Sequence, residues 1–250
     1  MRKLFKISCL NVKNVICSKE FILGMAAAFA YSMLWVIFVH PTMYRLSDYD
    51  FEFGRFLYLI ILYAAVSILR NDIKSNAAKT VFTGVFTRTQ IMISKGIGLI
   101  LLCFIFYAVF EINNILTSCI MYKKIGLSGF ININHLQLFI AYMAITLCMG
   151  SLMILIISLI FSEKKSILFF IVILSMINFY SAAITAGISS HPEAAQNFSL
   201  YMKTPFYNTI YLMGNFNLQS AFIQPVLINI AWAVLFYGSA VFVMNKREIK

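Results

Sequence analysis

Six long apolar stretches, separated by shorter polar segments, dominate the pattern of this 250-residue chain. They cover residues 21–40, 55–69, 96–116, 136–161, 166–188 and 222–244. A helix needs about 20 mostly apolar residues to cross the hydrocarbon core of a membrane. The second stretch is short, and it reaches that length if it begins near Phe51 with Glu52 and Arg55 extended toward the headgroups. Because backbone polar groups in lipid must be satisfied internally, the pattern predicts an all-α, polytopic membrane protein with six transmembrane helices.

The composition also indicates a chain that contacts lipid. It is 61% hydrophobic and 12% charged, with a mean hydropathy of +0.86, whereas about a quarter of the residues in a soluble domain are charged. The net charge of +11 would suit a nucleic-acid partner. However, the basic residues lie between the apolar stretches and accompany no nucleic-acid-binding motif. We therefore expect a lipid bilayer, and no nucleic acid, among the partners.

The distribution of lysine and arginine predicts the orientation in the membrane. With the N-terminus inside, 15 of the 20 basic residues lie in interior segments and five lie in exterior ones. Segments rich in lysine and arginine stay on the cytoplasmic side of a membrane. The sequence therefore predicts a multi-pass protein of the cell membrane with both termini in the cytoplasm, and residues 21–245 as its transmembrane domain.

Residues 1–20 form a basic segment with an amphipathic pattern. At 100° per residue, one side is mainly apolar and the other carries Arg2, Lys3, Lys6 and Lys13; the apolar side comprises Leu4, Phe5, Cys9, Val12, Val15 and Ile16. Such a helix would lie in the membrane plane with its lysines toward anionic headgroups. The alternative is a basic tail that only sets the topology.

The interior loop 70–95 carries an apolar stripe at helical spacing, formed by Val81, Phe82, Val85 and Phe86. An apolar stripe in a cytoplasmic loop is expected to be buried against another surface. The pattern Thr87-x-x-Gln90 then reads as a capping box, which predicts a helix running through Lys95 into the third span. The exterior segment 189–220 contains an aromatic, apolar centre at 206–213 that is too short to span. We expect a re-entrant or interfacial helix there, before the last span.

The chain carries no motif for chemistry of its own. It contains neither a G-x-x-x-x-G-K-[ST] loop nor an H-E-x-x-H motif, and no zinc-type Cys/His cluster. We therefore expect no catalytic residue, no cofactor and no metal. The candidate polar site within the membrane is Glu111, the one acidic residue inside an apolar stretch. It either handles a proton or substrate, or it extends to water at the outer edge of the third span.

Small residues are concentrated in the first and fifth spans, where they allow helix backbones to approach closely. They support either packing within the chain or an interface between two subunits. The residues that we assign to a dimer interface are Gly24, Ala27, Ala28, Ala183 and Gly187.

These features together resemble the permease subunits of ABC-2-type ATP-binding-cassette transporters. The likeness rests on the amphipathic segment before six spans, on Thr87-Arg88 followed by Lys95, on the long segment with Thr204-Pro205-Phe206-Tyr207 and on the ending Lys246-Arg247-Glu248-Ile249. Two features depart from the family. Phe86 stands where its members usually have proline, and the acidic residue expected early in the loop is at best Asp72.

The resemblance implies a division of labour between subunits. Two permeases, identical or different, would pair to form the translocation path, and each would couple to a separate cytoplasmic ATPase that hydrolyses ATP. The resemblance places the coupling surface at Val81, Phe82, Val85, Phe86, Thr87 and Arg88. Small stand-alone permeases of this kind are similar to exporters of, or immunity proteins against, amphipathic peptides such as bacteriocins and phenol-soluble modulins.

Two other classes of function remain open from the residues alone. One is a membrane-embedded enzyme that uses Glu111 or the predicted exterior histidines, which would act without an ATPase. The other is a scaffold or immunity protein without transport activity, whose effect would survive loss of the ATPase.

Overall fold

The computed structural model describes residues 2–39, 44–74, 86–160, 166–215 and 222–247, and within these ranges every regular element is a helix. The α-helices are α1 (Arg2–Ile16), α2 (Lys19–Phe38), α3 (Leu46–Lys74), α4 (Arg88–Ile120), α5 (Gly126–Ile131), α6 (His135–Ile160), α7 (Ser166–Ser190), α8 (Pro205–Asn215) and α9 (Ile223–Lys246). Two short 3₁₀ helices, Pro192–Phe198 and Tyr201–Lys203, lie between α7 and α8.

Six of these helices are long and apolar enough to cross a membrane, as the sequence predicts: α2, α3, α4, α6, α7 and α9. Helices α3 and α6 form the centre of the bundle and bury large side chains such as Phe53, Tyr58 and Tyr142. Helices α2, α7 and α9 surround this centre and leave most of their apolar surface uncovered. Such surface suits contact with lipid or with other membrane helices.

The second span begins earlier than the sequence predicts, at Leu46 rather than near Phe51 or Arg55. Acidic residues interrupt the apolar pattern here, but the helix accommodates them. Glu52 Oε1 lies 3.1 Å from Arg55 Nη1, and its Oε2 accepts a hydrogen bond of 3.0 Å from the hydroxyl of Tyr31 on α2. Asp48 lies in the first turn, where the helix dipole stabilises a negative charge.

The predicted capping box at the start of the third span is confirmed. Thr87 Oγ1 accepts a 3.2 Å hydrogen bond from the backbone N–H of Gln90, and Gln90 Oε1 accepts one of 3.0 Å from that of Thr87. These bonds satisfy amides that have no partner inside the helix, so α4 begins at Arg88 and continues through Lys95 into the apolar stretch.

Helix α1 packs on α3 and α4, and it buries Leu4, Val12 and Val15. The hydroxyl of Ser8 donates a hydrogen bond of 2.7 Å to the backbone carbonyl of Ser94 on α4. Phe5, which belongs to the same predicted apolar side, is 52% exposed. The predicted apolar side is therefore divided between contact with the bundle and an outward surface.

The segment before the last span contains α8, which includes the whole apolar centre 206–213. Most side chains of α8 are buried, because the helix packs among α3, α6, α7 and α9. Its Met213 lies beside Gly54 in the third turn of α3, with its Cγ 3.7 Å from where a Cβ at Gly54 would stand. This segment therefore contributes to the core at its end of the bundle.

Candidate functional site

Hydrogen bonds join the first turns of α4 to the C-terminal part of α3 and to the last turn of α9, and they join the residue after α9 to the last turn of α6. We call this region the basic end of the bundle. Arg88 is the first residue of α4, and its Nη1 lies 3.3 Å from the carbonyl oxygens of Met244 and Asn245 and also contacts that of Arg247. The last carbonyls of an α-helix have no partner inside the helix, and a cation there is favoured by the helix dipole. Arg88 therefore links the start of α4, the third span, to the end of α9, the sixth span.

Two more basic side chains bond to carbonyls near helix ends in the same region. Arg247 Nη1 donates hydrogen bonds of 2.7 and 3.0 Å to the carbonyls of Ser158 and Leu159, in the last turn of α6. Lys95, whose side chain is almost completely buried, donates one of 2.9 Å from Nζ to Ile68 O on α3. Helices α3, α4, α6 and α9 are thus joined by charged hydrogen bonds, which are stronger than neutral ones.

The residues that the resemblance assigns to coupling fall into two groups. Val81, Phe82 and Val85 lie outside the described residues. Phe86 is half-buried and packs against the chain's own core, while Thr87 caps α4 and Arg88 bonds to α9. The described part of the predicted surface therefore forms the joint between the α3–α4 connection and the bundle.

Glu111 lies near the opposite end, which we call the polar end and which includes the start of α3, the end of α4 and the start of α6. Its Oε1 is 2.8 Å from Nδ1 of His135, the first residue of α6, and its side chain is 15% exposed. Glu111 therefore has a specific partner and does not simply extend to water. Of the other histidines, His191 is exposed beside Glu193, and His40 lies outside the described residues.

The five small residues assigned to a dimer interface occupy different environments. Ala28 is fully buried within its own chain, and Gly24 packs against Ile60 of α3. Ala27, Ala183 and Gly187 are exposed, and an added Cβ at Gly187 would meet nothing within 4 Å. Only these three are accessible to a second subunit, so Ala28 belongs to packing within the chain.

The sequence reasoning missed three residues that the structure brings into these regions. Arg247 was read only as part of a basic ending and Lys95 only as part of a motif at the start of the third span, and Asp50 was not considered. Asp50 is fully buried. Helical spacing carried a signal for it, because Asp50 lies four residues after Leu46 and three before Phe53, both of which are buried.

No protein-family model matches the chain, and no curated protein matches it. In the part of the chain that the structure describes, no group of three or more His, Cys, Asp or Glu side chains is placed to hold a metal ion. The class that the fold defines is a helical, multi-pass membrane protein with six spanning helices. Its two candidate sites are the charged joint at the basic end and the Glu111–His135 pair at the polar end.

Proposed function

We propose that this chain is the transmembrane permease subunit of an ABC-2-type exporter. Together with a second permease it forms the translocation path, and a separate ATP-binding-cassette ATPase supplies the energy. The six spanning helices and the motifs around Thr87 and Arg88 support this assignment. The substrate that we propose, an amphipathic or antimicrobial peptide, rests on the resemblance to small stand-alone permeases alone.

The observation that carries the proposal is the joint at Arg88. An ATPase that pulls on the connection between α3 and α4 must transmit its motion to several spans at once. Arg88 begins α4 immediately after that connection and bonds to the end of α9. Arg247 continues the link from α9 to α6. A force applied to the connection that precedes Thr87 is therefore transmitted to α4, α9 and α6. The hydrogen bonds from Arg88 and Arg247 to backbone carbonyls carry it.

The proposal places the basic end in the cytoplasm of a bacterial cell, with the polar end outside. Fifteen of the 20 lysine and arginine residues belong to segments at the basic end, which is the distribution of cytoplasmic loops. In this orientation α1 lies at the inner membrane surface. Its exposed Phe5 and Leu10 can then enter the lipid beside its lysines.

The second permease, identical or different, pairs through the exposed small residues of α2 and α7 in this proposal. Small side chains allow two helices to approach closely, and Ala27 and Ala183 face outward. We expect Ala27→Trp and Ala183→Trp to weaken pairing in detergent without changing the stability of the single chain. Ala231→Trp on α9, also an exposed alanine, is the matched control. Light scattering that finds the same dimer in all three variants would exclude this interface.

The coupling role is tested by comparing two phenylalanines of the predicted stripe. Burying a phenylalanine side chain contributes about 1.5–3 kcal/mol, which corresponds to roughly tenfold or more in affinity. Phe82→Ala should reduce co-purification with the proposed partner ATPase and leave the permease's melting temperature unchanged. Phe86→Ala should lower the melting temperature, because Phe86 packs against the chain's own core.

The opposite pattern would exclude Phe82 as a docking residue. If Phe82→Ala destabilises the isolated permease and each folded molecule still binds the ATPase, the stripe packs within the chain. A membrane-embedded enzyme would instead be indicated by turnover from the isolated chain that Glu111→Gln abolishes.

A further inference from the structure

Asp50 is a carboxylic acid in the interior of the bundle without a partner for its charge. The residue is 0% exposed, and neither of its carboxyl oxygens has a hydrogen-bond partner among the described residues. Removing an ionised carboxylate from water without such partners is very costly. A carboxyl group in this position is therefore expected either to bind a cation or to carry a proton.

The groups around Asp50 come from α3, α4 and α6, and they increase the free-energy cost of ionising its carboxyl group. The charged residues that act on it are Glu111 on α4 and Asp48 on its own helix, and both are acidic. From α6, the buried Tyr142 hydroxyl also has no hydrogen-bond partner in the described structure. This hydroxyl lies so close to α3 that an added Cβ at Gly54, one turn after Asp50, would overlap it. A like charge that acts on a carboxyl group in a low-dielectric interior makes its ionisation less favourable.

The Glu111–His135 pair connects this interior group to the surface of the polar end. The side chain of His135 is 35% exposed and that of Glu111 is 15% exposed, and 2.8 Å separates His135 Nδ1 from Glu111 Oε1. Glu111 Oε2 is buried and has no hydrogen-bond partner among the described residues. Tyr107, one turn before Glu111, is the other titratable group beside this carboxylate. Exposure thus falls stepwise from His135 through Glu111 to Asp50.

We propose that Asp50 is a proton-binding site inside the membrane-spanning bundle, and that His135 and Glu111 exchange its proton with the medium at the polar end. The ring of His135 accepts a proton at Nε2 and becomes cationic. It then donates the proton on Nδ1 to Glu111, which leaves a neutral ring and a neutral carboxylic acid. Glu111 passes its proton to the Asp50 carboxylate, directly or through water, and returns to the ionised form. The reverse sequence releases the proton.

This site stands apart from the proposed coupling to an ATPase, because it lies at the other end of the bundle and needs no partner chain. It couples the binding of a proton to the conformational change of the bundle. A bundle that moves Asp50 between a buried and a wetter position would release or take up this proton at the polar end.

The test is infrared spectroscopy of the purified chain in lipid nanodiscs at neutral pH. A protonated carboxyl gives a C=O stretching band that an ionised carboxylate lacks. We expect such a band in the wild type, its loss in Asp50→Asn and its retention in Glu52→Gln. Glu52 is the matched control because it lies two residues away on the same helix but is paired with Arg55.

The proposed path is tested by the rate at which the band shifts in deuterated buffer. His135→Gln and Glu111→Gln should slow this exchange about a hundredfold, the lower end of the effect of a positioned proton-transferring side chain. These two measurements do not require Asp50→Asn to fold. A missing band, a band that survives Asp50→Asn, or a band displaced by sodium or potassium chloride would overturn the proposal, the last by showing a metal cation in the site. Exchange that is equally fast in all variants would overturn the path.

Discussion

The two ends of the bundle differ in how their polar groups are satisfied. At the basic end, carbonyls in the last turns of α6 and α9 accept hydrogen bonds from Arg247 and Arg88, although single atoms of Asn11, Arg70 and Ser158 have no partner in the described structure. At the polar end, more of the buried side chains lack partners within the described residues, and they include Asp50, Asn113, Asn114, Thr117 and Tyr142. Satisfied charged contacts make a region rigid, whereas buried polar groups without partners are costly and are retained where function needs them. The comparison therefore indicates that the basic end transmits force and that the polar end carries functional polar groups.

The contrast between the two ends requires that they face different compartments. We therefore predict that a membrane-impermeant maleimide labels cysteines at the polar end of the protein in intact cells and does not label cysteines at the basic end. A variant with Cys9 as its sole cysteine should react only after permeabilisation, and a cysteine-free variant carrying Tyr122→Cys should react from outside. Cys9 is exposed near the basic end, and Tyr122 is 70% exposed after α4 at the polar end.

A third variant, with the buried Cys148 as its sole cysteine, provides the control, since it should remain unlabelled on either side until the protein is denatured. Labelling of Cys9 from outside intact cells would invert or abolish the proposed orientation.

The second prediction concerns crowding at the polar end. Gly54→Ala should destabilise the chain by about 1–3 kcal/mol, the usual cost of overpacking a core. The new methyl group would overlap the hydroxyl of the fully buried Tyr142, which packs against Phe110 at a ring-centroid distance of 4.3 Å. Thermal unfolding in detergent measures the loss.

Gly238→Ala on α9 is the matched control for Gly54→Ala, because nothing lies within 4 Å of the added atom and alanine favours a helix. Equal melting temperatures for the two variants would mean that Tyr142 does not approach α3 closely.

A smaller effect is expected from removing the charged bonds of the basic end. Arg88→Gln should cost about 1–2 kcal/mol, the lower part of the range for hydrogen bonds to charged groups, because the side chain is half-exposed. It should also speed amide exchange in the last turn of α9, which loses its link to α4. Lys246→Gln changes a neighbouring exposed charge that lies over the Phe242 ring, and should have little effect. Similar exchange in the two variants would contradict the proposed joint.

The six spans could be predicted because long apolar stretches leave a chain in lipid little choice but to form helices. The start of α4 could be predicted to the residue, since a capping box is a local signal that needs no tertiary contact. The start of α3 was predicted too late because only local signals were used. Its acidic residues interrupt the local pattern, and the Tyr31 and Arg55 contacts that tolerate Glu52 depend on the folded arrangement.

The candidate sites were less predictable because their partners are distant in sequence. Arg88 bonds to residues more than 150 positions away, and nothing local reveals that it holds a helix end rather than facing outward. Glu111 could be identified as unusual, but its pairing with His135 needed the approach of α4 and α6. Asp50 was hidden among other acidic residues, and only its place on the buried helical stripe distinguished it.

The central claim, that a separate ATPase drives this chain through its basic end, is most directly tested by ATP hydrolysis in nanodiscs. The proposed partner ATPase would be reconstituted with wild-type permease, Phe82→Ala or Ala231→Trp, each at equal amounts of folded protein. We predict that wild type and Ala231→Trp stimulate hydrolysis and that Phe82→Ala does not, because only the last changes the coupling loop. Hydrolysis that is the same with and without the permease, or equally stimulated by Phe82→Ala, would contradict the account.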